Sequence, residues 1–139
     1  MIKVGIIGAG RIGRVHSESI TKYVKGAEIK AISDVRVTDE LKQWAKDMGI
    51  PHVYEDYKHI LQDPEIDAVL VCSSTNTHAP ISIEAARAGK HIFCEKPVDA
   101  DVNRIKEVLA EVEKAEVKFQ VGFNRRFDHN FKAIKTRVE

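Results

Sequence analysis

Cysteine is scarce: Cys72 and Cys94 are the only two in 139 residues. Each falls late in a strand-like run and reads as a small buried thiol, so no disulfide scaffold is expected. The six histidines show no paired ligand spacing and no cysteine cluster joins them, which argues against a metal site. An excess of one charge is lacking too. Lys and Arg number 22 against 21 Asp and Glu, a formal net charge of +1, and no basic run offers nucleic acid a local footing. No apolar stretch approaches the ~20 residues of a membrane span. The start, Met1-Ile2-Lys3-Val4, runs directly into a strand pattern instead of a leader. These absences predict a cytoplasmic protein with neither a membrane nor a nucleic acid as partner. Repeats, low-complexity tracts and linkers are missing as well.

What the chain does have is alternation. Hydrophobic residues make up 43%, enough at this length for one domain with a substantial core. A strand pattern ends at Gly8, and a helix follows from about Arg11 to Lys25. A second strand runs to Ser33. A helix over about Thr38 to Met48 has Thr38 as N-cap and Gly49 as its stop. His52-Val53-Tyr54 reads as a short strand, Tyr57 to Leu61 as a short helix begun by Asp56, and Asp63-Pro64-Glu65 as a turn. Asp67 to Cys72 is a central strand. His78 to Ala88 is a helix capped by Thr77 or Asn76, and His91 to Cys94 a fifth strand.

Val102, Ile105, Val108, Leu109 and Val112 lie on one stripe of a further helix. Lys118 to Gly122 makes a sixth strand, and a last helix through Ile134 carries Phe127 and Phe131 on one side. Strands and helices in this order predict an α/β, Rossmann-type doubly wound fold: a mostly parallel six-stranded sheet, order 3-2-1-4-5-6, helices on both faces. A ligand is expected across the carboxyl ends of strands one and four, where the strand order reverses.

Chemistry follows from what stands after each strand. Gly8-Ala9-Gly10-Arg11-Ile12-Gly13 opens the first helix, and the acid Asp34 follows the second strand about 20 residues on, which is the dinucleotide pattern. Gly8 permits the tight turn, Gly10 lets bare main chain approach a pyrophosphate, and Gly13 lets the helix pack closely. The helix amino end offers free amides, with Arg11 and Ile12 in its first turn. Asp34 is expected to accept from the ribose 2′- and 3′-hydroxyls and to repel a 2′-phosphate, favouring NAD. Arg36 could screen a 2′-phosphate, lie on the adenine or simply stand as a solvated loop residue, which leaves some NADP use open.

Ser73, Ser74, Thr75, Asn76 and His78 follow strand four, where hydroxyls and an amide suit ribose and amide recognition. Glu95, Lys96 and Pro97 follow strand five. Lys96 is the candidate catalytic residue: its ammonium there can hold a substrate hydroxyl and stabilise developing alkoxide charge. Glu95 either pairs with Lys96 or bonds a cofactor ribose, and the Lys96–Pro97 bond is a candidate for the cis form. Asn124 with Arg125 or Arg126 follows strand six.

At these segments the chain resembles the glucose-fructose oxidoreductase, inositol dehydrogenase and rhizopine-catabolism (Gfo/Idh/MocA) oxidoreductases. The segments are Gly8 to Gly13, Ser33-Asp34-Val35, Ser74 to His78, Cys94-Glu95-Lys96-Pro97 and Gly122 to Asp128. Among members it looks most like the NAD-dependent inositol 2-dehydrogenases. The resemblance implies hydride transfer between a hydroxyl-bearing ring carbon of a polyol or sugar and NAD, most simply from myo-inositol to a 2-keto-inositol.

It marks Lys96 as the reaction-centre lysine, with Pro97 beside it and Asn124 and Arg125 or Arg126 at the nicotinamide or substrate border. It implies an NAD-binding domain over residues 1–122, with 123–139 leading toward a sheet-rich substrate domain. That domain would supply an Asp and a His and would build a homo-oligomer. A stand-alone NAD-binding or sensing module is the alternative. A methyltransferase using S-adenosylmethionine would also carry an acid after strand two, but Gly13 and Glu95-Lys96-Pro97 speak against it.

Overall fold

The computed structural model describes all residues 1–139. Twelve main elements run in order: β1 (Ile2–Ile7), α1 (Arg11–Tyr23), β2 (Ala27–Ser33), α2 (Asp39–Asp47), β3 (His52–Tyr54), α3 (Lys58–Gln62), β4 (Ala68–Val71), α4 (His78–Arg87), β5 (His91–Glu95), α5 (Val102–Lys114), β6 (Phe119–Gly122) and α6 (His129–Val138). The strands form one sheet in the order β3-β2-β1-β4-β5-β6, every neighbouring pair parallel. This is the order the sequence predicts.

Strand alternation divides the core between two faces. Val4, Ile6, Ile29 and Ile32 pack with Leu41 and Ala45 of α2, while Ile7, Ala31, Val69, Val71, Ile92 and Cys94 pack under α3, α4 and α5. The fully covered isoleucines and valines, Ile6, Ile32, Ile60, Ile66, Val69 and Val71 among them, each contribute about 1.5–3 kcal/mol by leaving water. Gly5 has a packing reason: a Cβ there would stand 2.3 Å from Ile60 Cγ2, so its absence lets α3 seat directly on β1.

The helix ends follow capping chemistry. Thr38 accepts the Leu41 amide and Asp101 the Asn103 amide, as N-caps should. Asp56 accepts the Lys58 amide at the start of α3. Four expectations are corrected. Helix α1 stops at Tyr23, because Val24 is extended and Gly26 turns the chain at φ 90. Thr77 does not cap α4 with its side chain; its hydroxyl is spent on the Ser74 carbonyl.

The α5 stripe is narrower than its period suggests: Val108 is buried, but Val102 and Leu109 face solvent at 61% and 50% exposure. Phe127 and Phe131 do not share a helix face either. Phe127 ends a short 3-10 turn, Asn124–Phe127, and the Asp128 carboxylate then caps α6 by accepting the Asn130 and Phe131 amides. Helix α6 buries none of its residues, and Phe123, Phe127, Phe131 and Ile134 are all exposed.

Candidate cofactor site

The site forms where β1 hands over to α1. Gly8 lies at φ 102, and a Cβ on it would come within 2.6 Å of the Cys72 carbonyl carbon and the Ser73 amide, so the turn presses on the loop after β4. Gly13 is tighter still: its Cβ would lie 1.9 Å from the Gly8 carbonyl oxygen. Both are glycines because the fold leaves no room. Gly10 is different. Its backbone, φ −70 and ψ −170, suits any residue, and a Cβ there would meet nothing within 4 Å. The bare main chain at Gly10 fronts open space over the amino end of α1.

That amino end is unsatisfied. The first helical bond runs from the Arg14 amide to the Gly10 carbonyl, at 3.1 Å, so the amides of Arg11, Ile12 and Gly13 donate to nothing in the chain. No side chain caps α1 and no acid stands in its first turn. Free amides at the positive end of a helix dipole make an anion site.

Asp34 closes the other side. Its Oδ2 accepts the Ala9 amide at 2.9 Å and its Oδ1 the Arg36 amide at 2.9 Å. Each carboxylate oxygen keeps a lone pair, so two acceptor positions remain for a vicinal diol. Arg36 itself is exposed and meets Asp34 only through its backbone. Arg14, which sequence reasoning missed, braces the turn: its Nε donates to the Ala9 carbonyl at 3.2 Å, and its guanidinium forks onto Glu40 at 2.6 and 2.8 Å. Glu40 raises the Arg14 pKa and is itself held below the usual carboxylate range.

Between these groups lies a cleft of about 350 Å³ walled by Gly8, Gly10, Asp34, Val35, Cys72 and Ser73, within the range of small-ligand sites. Ser74 lines it too, and Thr75 and Asn76 are exposed in the same loop after β4. His78 is not at the rim, and its expected ligand contact is corrected. It is 2% exposed, with Nε2 2.9 Å from the Ser73 carbonyl and Nδ1 2.7 Å from the Pro97 carbonyl. The ring sits between two main-chain carbonyls, one on each loop, and bridges the β4 loop to the β5 loop.

Beyond β5, the Lys96–Pro97 peptide is cis. Lys96 is exposed and has no carboxylate within 4.0 Å. Of the two roles open to Glu95, pairing with Lys96 is overturned: its Oε1 takes a hydrogen bond from His16 Nε2 at 2.7 Å. The Lys96 ammonium is therefore free to meet a substrate oxygen. Asn124 and Arg125 follow β6 on the exposed turn, with the Arg125 guanidinium 4.8 Å over the Phe131 ring, so the structure does not bring them into the Gly8–Asp34 cleft. The two thiols are free and buried. Burial pushes Cys72 up to about 12 and Cys94 up to about 11.

The residues present fit a dinucleotide: a diphosphate on the free amides beside Gly10, and a ribose diol on Asp34. Comparison with known proteins agrees. A family model described as the Gfo/Idh/MocA oxidoreductase family, NAD-binding Rossmann fold, matches residues 2–123. The chain is 46% identical over 138 residues to a myo-inositol 2-dehydrogenase of Thermotoga maritima, covering 99% of this chain and 41% of that protein. It is 51% identical to an uncharacterized oxidoreductase of Bacillus subtilis, over 99% of this chain and 40% of that protein.

Among solved structures it superposes on a scyllo-inositol dehydrogenase from Lactobacillus casei with bound NAD(H) and scyllo-inositol. That match has a TM-score of 0.90 at 36% identity and covers 99% of this chain and 41% of the other. The chain thus spans about 40% of the length of the relatives it matches. The glycine turn, the diol-ready carboxylate and the sheet order coincide with the family match, and the chain belongs to the Gfo/Idh/MocA oxidoreductases, as their NAD-binding Rossmann domain.

Proposed function

We propose that this chain is the cofactor-binding part of an NAD-dependent inositol dehydrogenase, with myo-inositol oxidised at one ring carbon to a 2-keto-inositol. Residues 1–122 form the NAD-binding unit, and 123–139 begin the connection toward a substrate domain. The observation that carries the reading is Gly10, bare where the fold would tolerate a side chain, beside three free amides and opposite Asp34. The names of the relatives support inositol as the substrate class.

When bound, NAD supplies the hydride acceptor. The chain's own groups do the rest of the work assigned here. Gly10 with the Arg11, Ile12 and Gly13 amides binds the diphosphate. Asp34 fixes the adenosine ribose and disfavours a 2′-phosphate by like charge. Ser73 and Ser74 line the cleft, with Thr75 and Asn76 following in the same loop, and Glu95, Asn124 and Arg125 are assigned to the nicotinamide side beyond it. Lys96 Nζ donates to the substrate hydroxyl oxygen and stabilises negative charge as the proton on that oxygen passes to a base, the Asp–His pair of the proposed substrate domain. The assembled enzyme is proposed to be a cytoplasmic homo-oligomer.

Titration calorimetry of the chain with NAD, NADP and S-adenosylmethionine tests the cofactor. NAD is expected to bind, NADP more weakly, and S-adenosylmethionine to give no heat. Binding of S-adenosylmethionine alone would remove the reading. For the reaction, this chain can replace the corresponding segment of the Thermotoga maritima relative. The chimera should reduce NAD with myo-inositol, and Lys96→Ala should lower kcat by on the order of 10²–10⁴. Turnover indifferent to Lys96 would instead favour an NAD-binding module without catalysis.

A further inference from the structure

Glu95 ends β5 on the face opposite the α4–α5 core. Ile92 and Cys94 alternate into that core, which turns Phe93 and Glu95 toward α1. Helix α1 seats closely there, because Gly13 packs on the glycine turn and Ser17 is buried. His16 is the neighbour of Ser17. Its ring meets Phe93 edge-on at 5.2 Å, and its Nε2 donates to Glu95 Oε1. Gly122 of β6 supplies a third wall, since a Cβ there would lie 2.9 Å from Phe93 Cζ and 3.1 Å from Glu95 Oε1.

The carboxylate is therefore held by one oxygen in a fitted slot, with only 13% of the side chain exposed. Its Oε2 receives no hydrogen bond from the chain, yet it is not sealed away: Ser82 Oγ is the one buried side-chain polar atom without a partner. A largely covered carboxylate with one oxygen idle is costly unless a donor arrives. In the sheet, Glu95 ends a strand three places from β2, whose carboxyl end Asp34 follows, and the glycine turn lies between them. At strand spacings near 4.8 Å that separation is about 14 Å. Two acceptor carboxylates thus flank one diphosphate cradle, as the two riboses flank the diphosphate of a dinucleotide.

We propose that His16 is a positioning residue: it fixes Glu95 so that the free oxygen, Oε2, accepts hydroxyls of the nicotinamide-side ribose. This rests on the NAD-binding reading above. A proton on His16 Nε2 is what the bond to a carboxylate requires, and Gln at this position can offer an N–H of similar reach.

Calorimetry with NAD and with ADP, which lacks the second ribose, separates the roles. His16→Leu and His16→Phe remove the donor, the latter keeping ring packing on Phe93, and His16→Gln restores a donor. Both removals should weaken NAD about tenfold, with ADP unchanged and Gln within about threefold of the parent. Equal losses for NAD and ADP would make His16 a mere support of α1 and overturn the proposal. So would unchanged NAD affinity, or a parent chain that binds ADP as tightly as NAD. A parent chain that binds neither would instead overturn the NAD reading itself. Should the Leu variant not fold, as judged by circular dichroism, the Phe and Gln variants carry the comparison.

Discussion

A methyl group added at Gly13 would meet the Gly8 carbonyl oxygen at 1.9 Å, whereas one added at Gly10 meets nothing within 4 Å. Two glycines of one turn should therefore respond oppositely to alanine. Gly13→Ala is expected to cost about 1–3 kcal/mol or more as overpacking, read as a fall of several degrees in Tm. Gly10→Ala should cost the fold less than about 1 kcal/mol, its loss as N-cap, while abolishing tight NAD binding. A Gly10→Ala chain that keeps its NAD affinity would show that the open space is not a ligand site. Asp34→Ala should weaken NAD by about 1–3 kcal/mol by calorimetry. The thiols give a further check. With Cys72 pushed to about 12 and Cys94 to about 11 by burial, neither is a thiolate near neutral pH. Disulfide-exchange reagents should label the native chain negligibly and both cysteines once it is unfolded.

Among the elements, α6 stands apart. Helices α2, α4 and α5 each bury residues against the sheet, but α6 buries none and contacts chiefly the turn that precedes it. An element without buried apolar contacts opens at little free-energy cost. Trypsin at low dose is expected to cut first at Arg125, Arg126, Lys132 or Lys135, leaving a resistant fragment that contains β1 through β6, as read by mass spectrometry. Early cleavage within α1 or α5 would contradict this. The same contrast explains why the helical period misleads at the last helix. Phe127 and Phe131 stand four apart, which the helical period places together, but the Asp128 side chain takes the amides that start α6 and leaves Phe127 outside it.

Over the whole molecule, the two ends of the sheet differ in charge chemistry. At the end away from the glycine turn, Glu65 joins Lys3 at 2.8 Å and also Lys30, Lys30 reaches Asp63 at 2.8 Å, and buried Lys90 donates to the Asp63 and Ile66 carbonyls. Hydrogen bonds from Lys3 and Lys30 hold the Glu65 carboxyl down at about 2, and Lys30 likewise lowers Asp63. A depressed carboxyl pKa stabilises the fold above its unfolded value, 4.5 for Glu65, and that contribution is lost as pH falls toward about 2. Denaturant melts should show stability declining from about pH 4.5 downward, with a shallower decline in Glu65→Gln. An unaltered slope would remove Glu65 from the account. At the other end of the sheet stand the unpaired Lys96 and the free amides, left open for a ligand.

The fold and half of the site were legible from residue order alone. Alternating strand and helix periods pointed to a parallel sheet, the glycine turn followed by Asp34 pointed to the dinucleotide-binding strand order with its right-handed crossovers, and the rule that ligands sit at strand carboxyl ends put Gly8, Asp34 and Lys96 at one edge. These are local patterns joined by general chirality, so a linear reading reaches them. The partners of His16, Glu95 and His78 are another matter. His16 and Glu95 lie 79 positions apart, and His78 binds the Pro97 carbonyl 19 positions away. No periodicity links such residues. They meet only because three strands and their crossover helices set the α1 face over the end of β5, and that distance in space was decided by tertiary packing.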